Sequence, residues 1–166
     1  GEGRCLIRKA KREPQPPSLF ATLQMNQVVC CCLRRKTPNP NSAEPNNQAA
    51  AYFSAIETLR HLHWPDSVDD YLARVAPLVA TLDQPRTTMH YLNLLGQRET
   101  ELGRAAEALT HLLRADTLAV SIEDHRSRHF INRALALAYA AMGEPTKAVE
   151  RAELADAELK EDMGLE

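Results

Sequence analysis

The chain has 166 residues, of which 44% are hydrophobic and 25% are charged, as is ordinary for a soluble protein with a core of its own. Its net charge of −2 combines a basic first part with an acidic remainder: residues 1–47 carry 8 Lys/Arg and 3 Asp/Glu, and residues 48–166 carry 12 and 19. Because phosphate binding needs a basic face, we expect no direct contact between the acidic part and nucleic acid.

Residues 1–47 contain six of the ten prolines and show no sustained apolar period, which predicts a basic and largely disordered leader. The run from Leu19 to Leu33 is too short and too interrupted by polar residues to span a bilayer, so we expect no membrane association. Cys30, Cys31 and Cys32 stand beside basic residues. This tract could be lipidated, could form a metal or redox site, or could belong to a leader with no fold of its own.

From about Asn47 onward, apolar residues recur at the spacing of helical faces. The pattern predicts an all-α domain over residues 48–166, with six helices in three antiparallel pairs joined by short turns. This domain contains no cysteine and needs no disulfide, which favours a cytoplasmic location. The last apolar positions of the first, third and fifth helices are Leu62, Leu102 and Met142, which we place on the apolar faces.

Proline and glycine mark the expected helix ends. The Trp64-Pro65 step should end the first helix, because proline disfavours helical backbone in the residue before it. Asp66 or Ser67 is then expected to cap the second helix. Pro77 should kink or end that helix, since it removes one amide donor.

The chain also matches itself at a spacing of forty residues, so that Thr81 to Asp116 overlies Ser121 to Asp156. In this overlay Arg86 falls on Arg126, Leu95 on Leu135, Gly103 on Gly143 and Ala115 on Ala155. A fixed period of this size is typical of stacked repeat proteins. The first helix pair fits the register more loosely, with His63 where the later pairs have glycine. We therefore expect repeat units at about 49–88, 89–128 and 129–166.

The units at 89–122 and 129–162 resemble tetratricopeptide repeats (TPRs), in which two helices pack through small residues at fixed offsets. The resemblance rests on Leu95-Gly96, Gly103 and Ala108 in one unit and on their counterparts in the next. Glu99 departs from the pattern, because it stands where the family usually has a tyrosine. The spacing of forty is similar to that of a longer TPR variety found in bacterial regulators.

The resemblance implies an α-solenoid that binds a protein or peptide in the concave groove of its repeats. In that setting Asn93 and Gln97 could clamp a peptide backbone, and Arg133 could hold a carboxylate. The groove residues implied by the family's offsets are Phe53, Glu57, Arg60, His61, His90, Asn93, Gln97, Thr100, Glu101, Phe130, Arg133 and Leu137.

Neither catalysis nor a metal site is expected, because the sequence contains no phosphate-binding loop and no nucleophile motif. His125 and His129 have the i, i+4 spacing of a chelating pair, but no supporting zinc signature accompanies them. We therefore interpret them as surface histidines and expect neither a metal nor a cofactor.

The sequence thus favours a non-catalytic interaction module. Two alternatives remain: a ligand- or peptide-sensing fragment of a bacterial transcriptional regulator, and a homo-oligomerisation scaffold. The second would form a homodimer through the uncapped last helix, by way of Ala148, Ala152, Ala155 and Leu159.

Overall fold

The computed structural model describes residues 44–164, and these residues form six α-helices with no β-strand among them. The leader predicted for residues 1–47 therefore lies outside the described residues up to position 43, and its last three residues belong to the first helix. The helices are α1 (Pro45–His61), α2 (Pro65–Leu82), α3 (Pro85–Glu101), α4 (Ala105–Ser121), α5 (His125–Ala141) and α6 (Pro145–Met163).

A helix begins at every twentieth residue, so two helices make one forty-residue unit. The units run 45–84, 85–124 and 125–164, each beginning about four residues earlier than the sequence suggested. Proline occupies the first turn of α1, α2, α3 and α6, where its missing amide proton has no helical partner to lose.

The turn inside each pair has the same backbone geometry. His63, Gly103 and Gly143 all adopt left-handed backbone, with φ of 56°, 75° and 76°. In each turn the next residue donates its amide proton to a carbonyl five residues back, as Trp64 does to Leu59 at 3.1 Å. This pattern satisfies the carbonyls at the helix end. His63 follows it without being glycine, so the forty-residue period holds in the backbone even where the sequence departs from it.

The expected cap of α2 is wrong, and one of the two outcomes expected at Pro77 is excluded. Neither Asp66 nor Ser67 caps the helix, because Pro65 opens it and Trp64 occupies the capping position without a side-chain hydrogen bond. Pro77 does not end the helix, which continues to Leu82. Among the six helices of residues 44–164, only α5 has a side-chain cap, in which Asp124 accepts from the Ser127 amide at 3.0 Å.

The helices form two layers, and their backbones lie closer together in one layer than in the other. In the inner layer, α3 approaches both α1 and α5 with Cα–Cα distances within 8 Å. No such approach joins α2, α4 and α6, which form the outer layer, although each packs on its sequence neighbours. A stack whose backbones are closer on one side curves towards that side, so the inner layer lines a concave surface.

Two groups of buried side chains fill the space between the layers. The first lies between α1 and α2 and includes Ile56, Leu59 and Val75. The second spans α3 to α5 and is rich in alanine, so these helices can pack closely. At Gly96 a Cβ atom would lie 2.6 Å from Leu112 Cγ, which explains the small residue there.

The apolar faces are buried as expected, except at their last positions. Leu62, Leu102 and Met142 are exposed, because each lies at the C-cap, beyond the last helical turn. A search of the described helices found none long and apolar enough to cross a membrane.

Candidate binding groove

The concave surface forms an open groove of about 1160 Å³ lined by α1, α3, α5 and the turns beside them. Eleven of the twelve predicted groove residues line it, the exception being Phe53. The Phe53 ring lies behind the groove wall, with its centroid 6.0 Å from that of His90. The repeat offsets therefore identified which side of each helix faces the groove.

A second set of lining residues was not predicted, and most of them lie in the first half of α3 or α5 or immediately before α5. The overlay of Arg86 on Arg126 contained a signal for two of them, because equivalent positions of a repeat face the same way. The missed residues are His63, Arg86, Met89, Leu94, Asp124, Arg126, Ser127, Ile131 and Ala134.

On the α1–α3 side, the polar groove residues bind one another. Arg60 of α1 donates to Glu101 Oε1 through Nε at 3.0 Å and Nη2 at 2.8 Å, and it also donates to Gln97 Oε1. Gln97 in turn donates to Asn93 Oδ1 at 2.9 Å. The Gln97 amide is therefore engaged through both its oxygen and its nitrogen, while Asn93 Nδ2 donates to no other described residue.

A second arginine, Arg98, also approaches the Glu101 carboxylate. Arg98, which is buried, makes a two-pronged ion pair with Asp69 of α2, with Nε–Oδ1 at 2.7 Å and Nη2–Oδ2 at 2.8 Å. Its Nη1 also lies 3.4 Å from Glu101 Oε2. The hydrogen bonds from Arg98 lower the pKa of Asp69. Glu101 thus joins the α1–α3 contact instead of presenting a free charge to the groove.

On the α5 side, four groove residues are exposed and alternate between basic and apolar: Arg126, Phe130, Arg133 and Leu137. Phe130 is 47% exposed and Leu137 is 66% exposed. Neither arginine has an ion-pair or hydrogen-bond partner among the side chains that the structure describes. We call these four residues the groove face of α5.

The edge between α3 and α5 carries a weaker pair. Arg86 Nη2 lies 3.6 Å from Asp124 Oδ2. Partial burial raises the pKa of Asp124, but the hydrogen bonds from Ser127 and the charge of Arg86 outweigh that effect and the pKa is lowered overall. Although part of the His90 ring is open to the groove, desolvation by the groove walls lowers its pKa.

A different side of α5 is engaged within the chain. Arg128 pairs with Glu158 of α6 and lies 3.8 Å from Asp116 of α4. Arg151 of α6 donates to Asp116 at 2.8 Å and to the buried Asn132 at 2.9 Å. We call His125, Arg128, His129 and Asn132 the packed face of α5.

The two histidines of α5 do not form the chelating pair that their spacing allows. His129 is buried, and its Nδ1–H donates to the Ala155 carbonyl at 2.8 Å, so its interpretation as a surface residue is wrong. His125 Nδ1 lies 3.0 Å from Glu158 Oε2 and 3.6 Å from Glu161 Oε2. These three donor atoms lie within 4.8 Å of one another, a set that a divalent cation accepts, although Arg128 already neutralises Glu158.

Glu99, which departs from the TPR pattern, has a hydrogen-bond partner in the structure. Glu99 is buried between α3 and α4, and its Oε2 lies 2.7 Å from Nδ1 of His111. A hydrogen-bonded polar pair thus occupies the place where Tyr139 packs in the next unit. The pair satisfies a carboxylate that would otherwise be costly to bury.

The residues expected to mediate self-association do not form one exposed stripe. Ala155 is buried against α5, and Ala148 and Leu159 are half-buried. Ala152 is exposed. The other large apolar residues exposed on α6 are Val149, Leu154 and Met163, and they are interspersed with charged side chains.

Comparison with known proteins gives no relative: no family model matches the chain, and neither a curated protein nor a solved structure does. The resemblance to TPRs therefore stays a prediction, and the function must be argued from the groove itself.

Proposed function

We propose that this protein is a non-catalytic interaction module that binds a segment of another protein in the groove. The observation that carries the proposal is the groove face of α5. There, two large apolar side chains are exposed on a concave surface together with two arginines that have no partner within residues 44–164. Exposed apolar residues gathered in a concavity are typical of binding sites, whereas scattered ones are not.

The two sides of the groove would contribute differently. The α1–α3 side is held by its own ion pairs, so it supplies a preformed wall that loses little entropy on binding. The α5 side would supply most of the binding energy, because arginine and large apolar side chains are the usual anchors of an interface. Asn93 Nδ2 adds one donor that is free for a backbone carbonyl.

Two of the groove carboxylates are engaged within the chain, which supports a binding role. Glu101 accepts hydrogen bonds from Arg60 and approaches Arg98, and Asp124 caps α5. Carboxylates engaged in this way are less available as general acids or bases than free ones. The fold is that of a repeat stack, and the predicted kinship with TPR proteins agrees with a binding function.

The test is affinity capture with the full chain, followed by mass spectrometry. The wild-type protein is compared with a Phe130→Glu, Leu137→Glu variant, which changes the groove face only. The matched control is Val120→Glu, because Val120 is similarly exposed but lies on α4 of the outer layer.

We expect a set of captured proteins that the groove variant loses and the Val120→Glu control keeps. Circular dichroism melting curves of the three proteins exclude unfolding as the cause of a loss. The same capture set with all three proteins would show that the groove does not bind partners.

A further inference from the structure

The four residues of the groove face of α5 lie at intervals of four, three and four residues. This is the spacing of the seam along which two helices pack in a coiled coil. At 1.5 Å per residue the seam is about 16 Å long, or about three helical turns. It therefore has the length and period of a helix-docking surface, but no helix of this chain covers it in residues 44–164.

The charge of this seam distinguishes it from the rest of the groove. Arg60 is paired with Glu101, and Arg86 lies near Asp124, so two of the four groove arginines are already neutralised. Arg126 and Arg133 have no neutralising partner in the part of the chain that the structure describes, and they alternate with Phe130 and Leu137 along the seam. A complementary surface would present carboxylates and apolar side chains in the same alternation.

We propose that the occupant of the groove is an acidic amphipathic helix of a protein partner. It would pack along α5 with carboxylates opposite Arg126 and Arg133 and apolar side chains against Phe130 and Leu137. This inference rests on the proposed binding function and names the chemistry of its partner.

A helix fits this seam better than an extended strand does. Side chains on one face of a strand repeat about every 6.6 Å, whereas those of the seam repeat about every 5.5 Å. Over the four seam residues a strand would fall about 3 Å out of register, so it could match the beginning of the seam but not its end. A docked helix keeps the same period throughout.

The chain's own first 43 residues are a poor occupant. They carry 8 Lys/Arg and 2 Asp/Glu, so they would bring positive charge to Arg126 and Arg133. A second copy is the other candidate, since α6 is acidic and exposes Val149 and Leu154. The experiment distinguishes that case from a separate partner.

The test uses synthetic helical peptides of about 20 residues, a length at which a helix is stable enough to study. One face of the first peptide alternates Leu and Glu at intervals of three and four, and the other face is alanine and glutamine. A second peptide replaces each seam Glu with Gln, and a third replaces it with Lys. Binding of labelled peptide to the full chain is measured by fluorescence anisotropy.

We expect the Glu peptide to bind at least about tenfold more tightly than the Gln peptide, with an advantage that shrinks as salt is raised from about 50 to 300 mM. The Arg126→Glu, Arg133→Glu variant should reverse the order and prefer the Lys peptide. The matched control is Arg114→Glu, on the exposed surface of α4, which should behave like the wild type.

Two outcomes would overturn the inference. Equal binding of the Glu and Gln peptides, or no binding of either, would show that the seam does not select carboxylates on a helix. Sedimentation velocity showing a wild-type dimer that the double arginine variant abolishes would assign the seam to a second copy instead. The proposed function is judged separately, because the capture experiment does not depend on the charge or helicity of the partner.

Discussion

The groove face and the packed face of α5 are built from similar residues but differ in how those residues are used. The groove face has Arg126 and Arg133, and the packed face has Arg128 beside His125. Arg128 and His125 both contact Glu158, whereas Arg126 and Arg133 have no partner among the described side chains. One face thus contributes to the fold, and the other has charge and apolar surface left for a ligand.

The difference teaches that charge alone does not mark a functional surface. A paired arginine costs stability when its partner is removed, while an exposed and unpaired one costs almost nothing when it is itself removed. Substitutions on the two faces should therefore separate stability from binding.

The largest contrast involves two leucines of α5. Leu135 is fully buried, whereas Leu137 is 66% exposed in the groove. We expect Leu135→Ala to lower the free energy of unfolding by about 3 kcal/mol, through lost burial and the cavity left behind. Leu137→Ala should change it by less than about 0.5 kcal/mol. Urea denaturation measures both, and a similar loss from the two would show that the groove face also supports the fold.

The next contrast involves two glutamates of α6. Glu158 is buried and binds Arg128 and His125, whereas Glu161 is exposed. Glu158→Gln should lower the free energy of unfolding by about 1–2 kcal/mol, because Arg128 loses a charged partner in a poorly hydrated place. Glu161→Gln is the control and should cost less than about 0.5 kcal/mol. Equal values would mean that the α5–α6 ion pair is not structural.

The contributions of two histidines to stability should respond oppositely to pH: His125 lies on the packed face of α5, and His90 lies in the groove on α3. The hydrogen bond to Glu158 and then the charge of Glu161 raise the pKa of His125, despite some repulsion from Arg128. Its folded state thus holds a proton more tightly than the unfolded state, for which the pKa is about 6.5. The resulting stability is fully present below that value and is lost as the pH rises through the raised pKa.

For His90 the sign is reversed, because desolvation lowers its pKa. Its protonation is unfavourable in the folded state, so stability increases as the pH rises from the lowered pKa to about 6.5. Thermal melts between about pH 5 and 8 compare the wild type with His125→Gln and His90→Gln. With rising pH, the stability of the wild type relative to the variant should fall for His125→Gln and rise for His90→Gln. Parallel profiles would contradict the contrast.

The smallest effect on stability is expected from the arginines of the groove face. Arg126→Ala and Arg133→Ala should each leave the free energy of unfolding within about 0.5 kcal/mol of the wild type, since no described partner is lost. Arg128→Ala serves as the positive control and should be clearly destabilising. Chemical denaturation that showed a large loss at Arg133 would mean that it is engaged within the fold.

Much of this arrangement could be predicted because a repeat gives the same orientation to equivalent positions. The groove offsets implied by the resemblance to TPRs placed Asn93 and Arg133 on the concave side, at positions forty residues apart, and both line the groove. The turns repeat for the same reason, because His63 has the same left-handed backbone as its equivalents Gly103 and Gly143.

The specific partners of each side chain could not be predicted in this way. Whether Arg128 meets Glu158, or Glu99 meets His111, depends on how far one helix is shifted along the next. The repeat period of the sequence does not specify how large that shift between neighbouring helices is. His129 was misjudged for the same reason, because its partner is a backbone carbonyl of α6 that no residue type reveals.

The regular start of a helix at every twentieth residue bears on how such a chain can change in length. Residues 85–124 make up one full repeat, from the start of α3 to the residue before α5. The turn before α3 and the turn before α5 each contain a left-handed residue, Asp83 and Glu123. A duplication of that segment would keep every following helix in phase. The protein could therefore gain reach in whole steps of one helix pair, whereas an insertion of any other size would fall out of step and have to be absorbed in a loop.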